Sequence, residues 1–285
     1  MTRDPLLDYR LPDLRFVPVE ALVPHEEHDE QRLQPLVRRI REEAVLRNPP
    51  VVAPLPDDPE GRFVVLDGAN RATAARRAGF PHMLVQVARY EEPWVRLHTW
   101  CHALGDTTCE DLEHTLRAIP GLEVRREPQL HARAMLARRE ALALVVFEDG
   151  HADTLHADGD LHRRNALLNA VVDTYRGKKR FLRVTTESLV ETRARHPEVT
   201  ALVVFPHFEP FEVIELATGG ARLPAGITRH LIRWRALRLN VPTEVLADRT
   251  RPIEAKAEWL DGWLRDRLLH RHVRYYEEPT VLFDE

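Results

Sequence analysis

A chain of 285 residues with 44% hydrophobic and 30% charged side chains can bury one large core or two ordinary ones, which excludes a disordered or fibrous polypeptide. Its 41 Lys and Arg stand against 45 Asp and Glu, a formal charge of −4 with both signs interspersed. That is not the basic footprint needed to neutralise many duplex phosphates, so nucleic acid is not an expected partner. No apolar run approaches the ~20 residues that span a bilayer, and Met1 to Pro5 lacks a signal-peptide core, so no membrane is expected and the expected location is the cytoplasm. Cys101 and Cys109 are too few for a disulfide framework and are read as free thiols.

Arg15 to Glu20 reads as a short strand, with Val23 to Glu27 as the loop after it. Asp29 then caps a helix on which Leu33, Leu36, Val37, Ile40 and Ala44 recur at helical spacing, until Arg47-Asn48-Pro49-Pro50 stops it. Val51 to Leu55 is a strand, and Asp57 to Gly61 a turn. Phe63 to Leu66 is an uninterrupted apolar run suited to an interior strand, followed by a helix that ends at Gly79. Met83 to Val87 is a further strand, and Glu91-Glu92-Pro93 marks a boundary between an expected first domain, 1–92, and a second, 93–285.

In the second part, strands are expected at Val95 to Trp100, Leu142 to Phe147, Ala201 to Phe205, Arg229 to Leu239 and Val273 to Tyr276. The Asp149-Gly150 turn sets up a return strand. Helices are expected at Thr108 to Leu116, Leu161 to Tyr175, Glu187 to Arg195, Phe211 to Ala217 and Ile253 to Leu269. The fold class is therefore α+β.

Three stretches have the composition of a reactive site. In Asp67-Gly68-Ala69-Asn70-Arg71 a strand enters a helix through glycine, where backbone N–H groups and the positive end of the helix dipole suit phosphate. Arg71 would add a charge-assisted contact and Asp67 would orient a magnesium ion or a substrate, although an ordinary turn with a surface arginine has the same letters. In His25-Glu26-Glu27 a carboxylate before a helix could take the proton of an attacking hydroxyl; a charged loop is the plain alternative. After Gly226, Thr228-Arg229-His230 could donate to phosphate from the second domain, or could be a strand start with wetted side chains. His98, Cys101, His102, Cys109 and His114 match no common zinc spacing.

Taken together, His25-Glu26 with Arg32-Leu33, Pro50-Val51-Val52, Val65 to Gly68 with Arg71, Thr99-Trp100 with His102, Pro224 to Arg229, and Arg235 to Pro242 resemble the ParB/sulfiredoxin superfamily, and within it the free L-serine kinases. The resemblance spans nearly the whole chain. It implies a ParB/sulfiredoxin-like nucleotide-binding first domain and a second α+β domain that completes the cleft. It also implies transfer of a phosphoryl group from ATP or ADP to the hydroxyl of L-serine, with Mg²⁺. By the same resemblance Glu26 is the catalytic base with Asp67 beside it. Gly68, Ala69, Asn70, Arg71, Thr228, Arg229 and His230 hold the nucleotide, and Arg47, Asn48, Trp100 and His102 bind substrate. The family usually has histidine where this chain has Asn70, so a donor is kept and a titratable group lost. Sulfiredoxin chemistry needs a cysteine in this turn, where Ala69 stands. The alternative within the superfamily is a CTP-binding regulator of DNA.

Overall fold

The computed structural model describes residues 11–27 and 44–276. In chain order the first strands are β1 (Asp13–Pro18), β2 (Leu22–Pro24), β3 (Val45–Leu46), β4 (Val51–Pro54) and β5 (Phe63–Asp67). Helix α1 (Ala69–Arg77) and β6 (His82–Val87) follow. Then come β7 (Val95–Thr99), β8 (Cys101–Gly105), α2 (Cys109–Arg117), β9 (Glu123–Pro128), α3 (Gln129–Ala137), β10 (Ala143–Val146) and β11 (His151–His156). The remainder is α4 (Leu161–Asp173), β12 (Phe181–Val184), α5 (Leu189–Arg195), β13 (Val199–Val204) and α6 (Pro210–Thr218). It closes with β14 (Thr228–Ile232), β15 (Val241–Pro242), α7 (Thr243–Ala247) and α8 (Ile253–Leu269).

Two sheets organise these elements into a mixed α+β fold. The first has five strands in the order β1-β6-β4-β5-β2, and the second has six in the order β12-β8-β13-β10-β11-β9. Successive residues of β5 show how the sheets join. Val64 and Leu66 pack into the core shared with the second sheet, whereas Val65 faces the opposite core with Val52, Leu84, Ala72 and Ala75. A period of two thus makes β5 buried on both faces, as its unbroken apolar run requires.

That opposite core is closed by the end of the chain: Val241, Val245, Leu246 and Leu260 return to pack with Phe16, Val17 and Leu22. Lys256 on α8 is fully buried, its ammonium donating to the Leu246 carbonyl at 3.1 Å. Among the described residues no helix is long and apolar enough to cross a membrane.

Several boundaries differ from expectation. Val23 and Pro24, expected in a loop from Val23 to Glu27, belong instead to strand β2, which pairs parallel with β5. The stretch from Val95 to Trp100 is broken at Trp100, where the chain leaves the two-stranded β7–β14 ladder and enters the second sheet. Strand β14 ends at Ile232 instead of running to Leu239, because Trp234, Arg238 and Asn240 take positive φ values of 57°, 52° and 54° that a strand excludes. Among the described residues Val273 to Tyr276 has no partner strand and stays exposed. Strand β9 was not expected: its Glu-Val-Arg-Arg-Glu-Pro sequence has one buried apolar residue, as suits a sheet edge guarded by charge. Strands β8 and β12 and helix α3 were also missed. The expected helix from Asp29 lies outside the described residues as far as 43; its expected end is instead Ala44 at φ 53° followed by strand β3.

Candidate active site

The site begins with a register. Strands β2 and β5 run parallel with Leu22 opposite Phe63, Val23 opposite Val64 and Pro24 opposite Val65. Both reactive stretches therefore leave the sheet at the same edge, His25-Glu26 after β2 and Asp67-Gly68 at the end of β5, at the carboxyl ends of neighbouring parallel strands. His25 fixes the alignment: its Nδ1–H donates to the Val65 carbonyl.

At the end of β5 the chain turns through Gly68, at φ 90°, directly into α1. A Cβ at Gly68 would lie 2.9 Å from a guanidinium nitrogen of Arg71, so the glycine provides both the left-handed turn and the space for that side chain. Arg71 donates to Asp67 Oδ2 at 2.8 Å and to the Asn48 carbonyl at 2.6 Å, tying the turn to the 48–49 segment. Arg235 also donates to Asp67 Oδ2. Two guanidiniums against one carboxylate leave positive charge in excess at a helix entrance, an arrangement that attracts anions. Burial lowers the Arg71 pKa, opposed by the neighbouring Asp67 charge.

Glu26 is held from the far end of the chain. Its Oε2 accepts the Gly226 N–H at 2.8 Å, and its Oε1 accepts both the Thr228 N–H at 2.7 Å and the Thr228 hydroxyl. The backbone is stitched alongside, with Leu223 N–H donating to the His25 carbonyl and Glu27 N–H to the Leu223 carbonyl, each at 2.8 Å. Glu27 turns instead toward Arg222, at 3.6 Å, so only one of the two adjacent carboxylates enters the site. Thr228 Oγ1 also lies 2.8 Å from His25 Nε2. With Nε2 unprotonated, His25 and Glu26 compete for the single Thr228 hydroxyl hydrogen; with Nε2 protonated, His25 donates to Thr228 and Thr228 to Glu26.

Alternation along β14 sorts the other expected ligands. Thr228 and His230 face the first sheet, whereas Arg229 points the opposite way and lies over the Trp100 ring, 5.0 Å from its centroid. Burial, reinforced by the charge of His25, pushes the His230 pKa well below the ordinary value. Its Nε2 lies 2.8 Å from the Tyr90 hydroxyl, and the ring also bonds the Leu66 backbone. A neutral ring with both nitrogens engaged is a wall of the site, in contrast to the phosphate donor expected of His230. His102 is fully buried beneath Gly226 and has no exposed edge for a substrate.

Asn48 accepts the Arg238 N–H at 2.7 Å through Oδ1, and the Arg47 carbonyl accepts from Asn240 at 3.3 Å. Both therefore brace the 238–240 turn behind Arg71. Ala69 and Asn70 form the first turn of α1. Sequence reasoning missed Tyr90 and Gly226 as site residues and gave Arg235 no role, since each gains its place only through a distant contact. The positive φ of Gly226, 76°, was the one signal that its residue type could have offered.

The folded arrangement defines a class: a mixed α+β protein whose carboxylate and arginine-backed glycine turn follow neighbouring parallel strands, the carboxylate held by a strap from the second half. Solved structures share this fold. A free serine kinase in complex with AMP superposes with a TM-score of 0.69 at 20% identity, covering 84% of this chain and 97% of that one. A C-terminally truncated SbnI from Staphylococcus aureus superposes with a TM-score of 0.70 at 23% identity, covering 89% and 96%.

In sequence, the ATP-dependent L-serine kinase SbnI of Staphylococcus aureus is 24% identical over 280 residues, 95% of this chain and 97% of its own. The ATP-dependent L-serine kinase of Staphylothermus marinus is 33% identical over 89 residues, 31% of this chain and 34% of its own length. The chain thus matches about a third of that archaeal relative. No protein-family model matches. In fold, and in a near full-length alignment, the chain is similar to the free L-serine kinases.

Proposed function

We propose that the protein is an ATP-dependent kinase of free L-serine, forming O-phospho-L-serine. The observation that supports the reading is the parallel pairing of β2 and β5, which makes His25-Glu26 and Asp67-Gly68 follow neighbouring strands at the same edge of the sheet. In the reaction the serine Oγ bonds to the terminal phosphorus of ATP, the bond from that phosphorus to the bridging oxygen breaks, and ADP leaves. Glu26 takes the hydroxyl proton on Oε2, which accepts a single bond from Gly226 and retains a lone pair. Gly226, Thr228 and the Thr228 hydroxyl hold the carboxylate in place so that no reorganisation is needed at the moment of transfer.

Arg71, Arg235 and the first turn of α1 receive the phosphates. Magnesium suits this edge: Asp67 offers a hard oxygen ligand, and both arginine contacts fall on Oδ2, so coordination through Oδ1 would displace neither. When bound, the ion offsets phosphate charge. In this reading residues 1–92 carry the nucleotide turn and residues 93–285 supply the strap and the wall around serine, with Arg229 stacked on Trp100 at its rim.

The test is incubation of the purified protein with L-serine, Mg²⁺ and ATP or ADP, followed by mass spectrometry for O-phosphoserine. Formation of the product with stoichiometric nucleotide consumption is expected. No product, together with CTP-selective binding and salt-sensitive association with duplex DNA, would favour a regulator instead. Glu26→Gln keeps the shape but not the proton acceptor, and turnover should fall on the order of 10²-fold or more with nucleotide affinity preserved.

A further inference from the structure

Behind the strap lies a buried polar chain that the transfer step does not touch. Tyr175 is fully buried, and its hydroxyl lies 2.8 Å from His102 Nδ1. His102 Nε2 lies 3.1 Å from the Gly226 carbonyl oxygen. A carbonyl only accepts, so Nε2 carries the hydrogen, Nδ1 is bare, and the Tyr175 hydroxyl donates to it. The ring is boxed by Tyr175, Phe181 and Phe205, with centroids 5.8, 4.7 and 4.8 Å away.

Gly226 is pinned on its other side as well. Its φ is 76°, and a Cβ there would fall 2.2 Å from Arg183, the cross-strand partner of His102. With the carbonyl fixed by His102, the Gly226 N–H and the Thr228 N–H both converge on Glu26. No such network is needed for packing alone, since an apolar side chain would fill the aromatic box without burying two polar groups.

We infer that Tyr175 and His102 are positioning residues for Glu26: they anchor the Gly226–Ile227 peptide, and with it the flanking peptides whose Gly226 and Thr228 N–H groups aim the carboxylate at the substrate hydroxyl. This rests on the kinase reading, and on Glu26 as base within it. Burial pushes the His102 pKa down to about 3 and raises that of Tyr175 well above its ordinary value, so the chain keeps its hydrogens across the working pH range.

The experiment compares steady-state kinetics with ATP and serine for His102→Leu, His102→Gln, Tyr175→Phe, Glu26→Gln and the double variant Glu26→Gln/His102→Leu. Each protein is first shown to be folded by circular dichroism. His102→Leu should lower kcat by 10- to 100-fold, the scale of an ångström-level misplacement, with KM for ATP within about 3-fold. His102→Gln, whose amide can still donate to Gly226, should recover most of the loss. Tyr175→Phe should lower kcat by about 3- to 10-fold and carries the test if His102→Leu does not fold. In the Glu26→Gln background His102→Leu should add nothing further.

Full kcat in a folded His102→Leu or Tyr175→Phe protein overturns the inference, as does an undiminished His102 effect in the Glu26→Gln background. If Glu26→Gln alone keeps full turnover, the base assignment fails first, a result distinguishable from failure of the positioning chain.

Discussion

Thr228 donates twice to Glu26 across 202 positions of sequence, once from its backbone N–H at 2.7 Å and once from its hydroxyl. Only the second contact depends on the side chain. Thr228→Val keeps shape and backbone and removes the hydroxyl that His25 and Glu26 share. It should lower kcat about 10-fold with little change in nucleotide KM, measurable by coupled ADP release. An unchanged kcat would show that the two N–H groups suffice.

Arg71 bridges Asp67 and the Asn48 carbonyl with separate guanidinium nitrogens. Lysine keeps the charge but has no fork to span both. Arg71→Lys should therefore raise KM for ATP by about 10-fold and affect kcat less. Equal losses in kcat and kcat/KM would instead assign Arg71 to the transition state alone.

Asp153 is fully buried, and its Oδ2 has no hydrogen-bond partner among the described residues. Burial, with help from Glu113, raises its pKa despite Arg126 at 3.2 Å. A carboxyl raised on folding binds its proton more tightly in the native state, so stability falls as pH climbs from the unfolded value of about 3.9 through the native one. Asp153→Asn removes that term. The difference in Tm, variant minus parent, should shift in favour of the variant between pH 4 and pH 7; parallel melting curves would refute the linkage.

Asn70 stands in the first turn of α1, at the position where the family resemblance implies histidine. Asn70→His restores a titratable donor beside the phosphate turn and should raise turnover several-fold near neutral pH. If turnover is unchanged, the amide already supplies what the position requires.

The turn at Asp67 was legible because local chemistry dictates it: an apolar strand, a glycine needing positive φ, then alanine-rich helix. The His25-Glu26 stretch was legible in residue type only. The three-residue strand before it ends in proline and pairs through just Leu22, Val23 and Pro24, too short a signal to separate from loop. His230 looked like a phosphate donor because sequence cannot show that Tyr90, 140 positions away, occupies its ring nitrogen. The role of Tyr175 was invisible for the same reason, and Gly226 was read only as the glycine ahead of Thr228-Arg229-His230, because the work of each is defined by a partner far along the chain.

The closing helix carries a practical consequence for anyone dissecting this protein. Because Val241, Val245, Leu246 and Leu260 roof over Phe16, Val17 and Leu22, a cut placed near residue 92 strips the first sheet of its cover and leaves a greasy face open to aggregation. Shortened versions meant to keep the Asp67-Gly68 turn intact therefore need the segment from Val241 to Leu260, supplied either in one piece or as a complementing fragment.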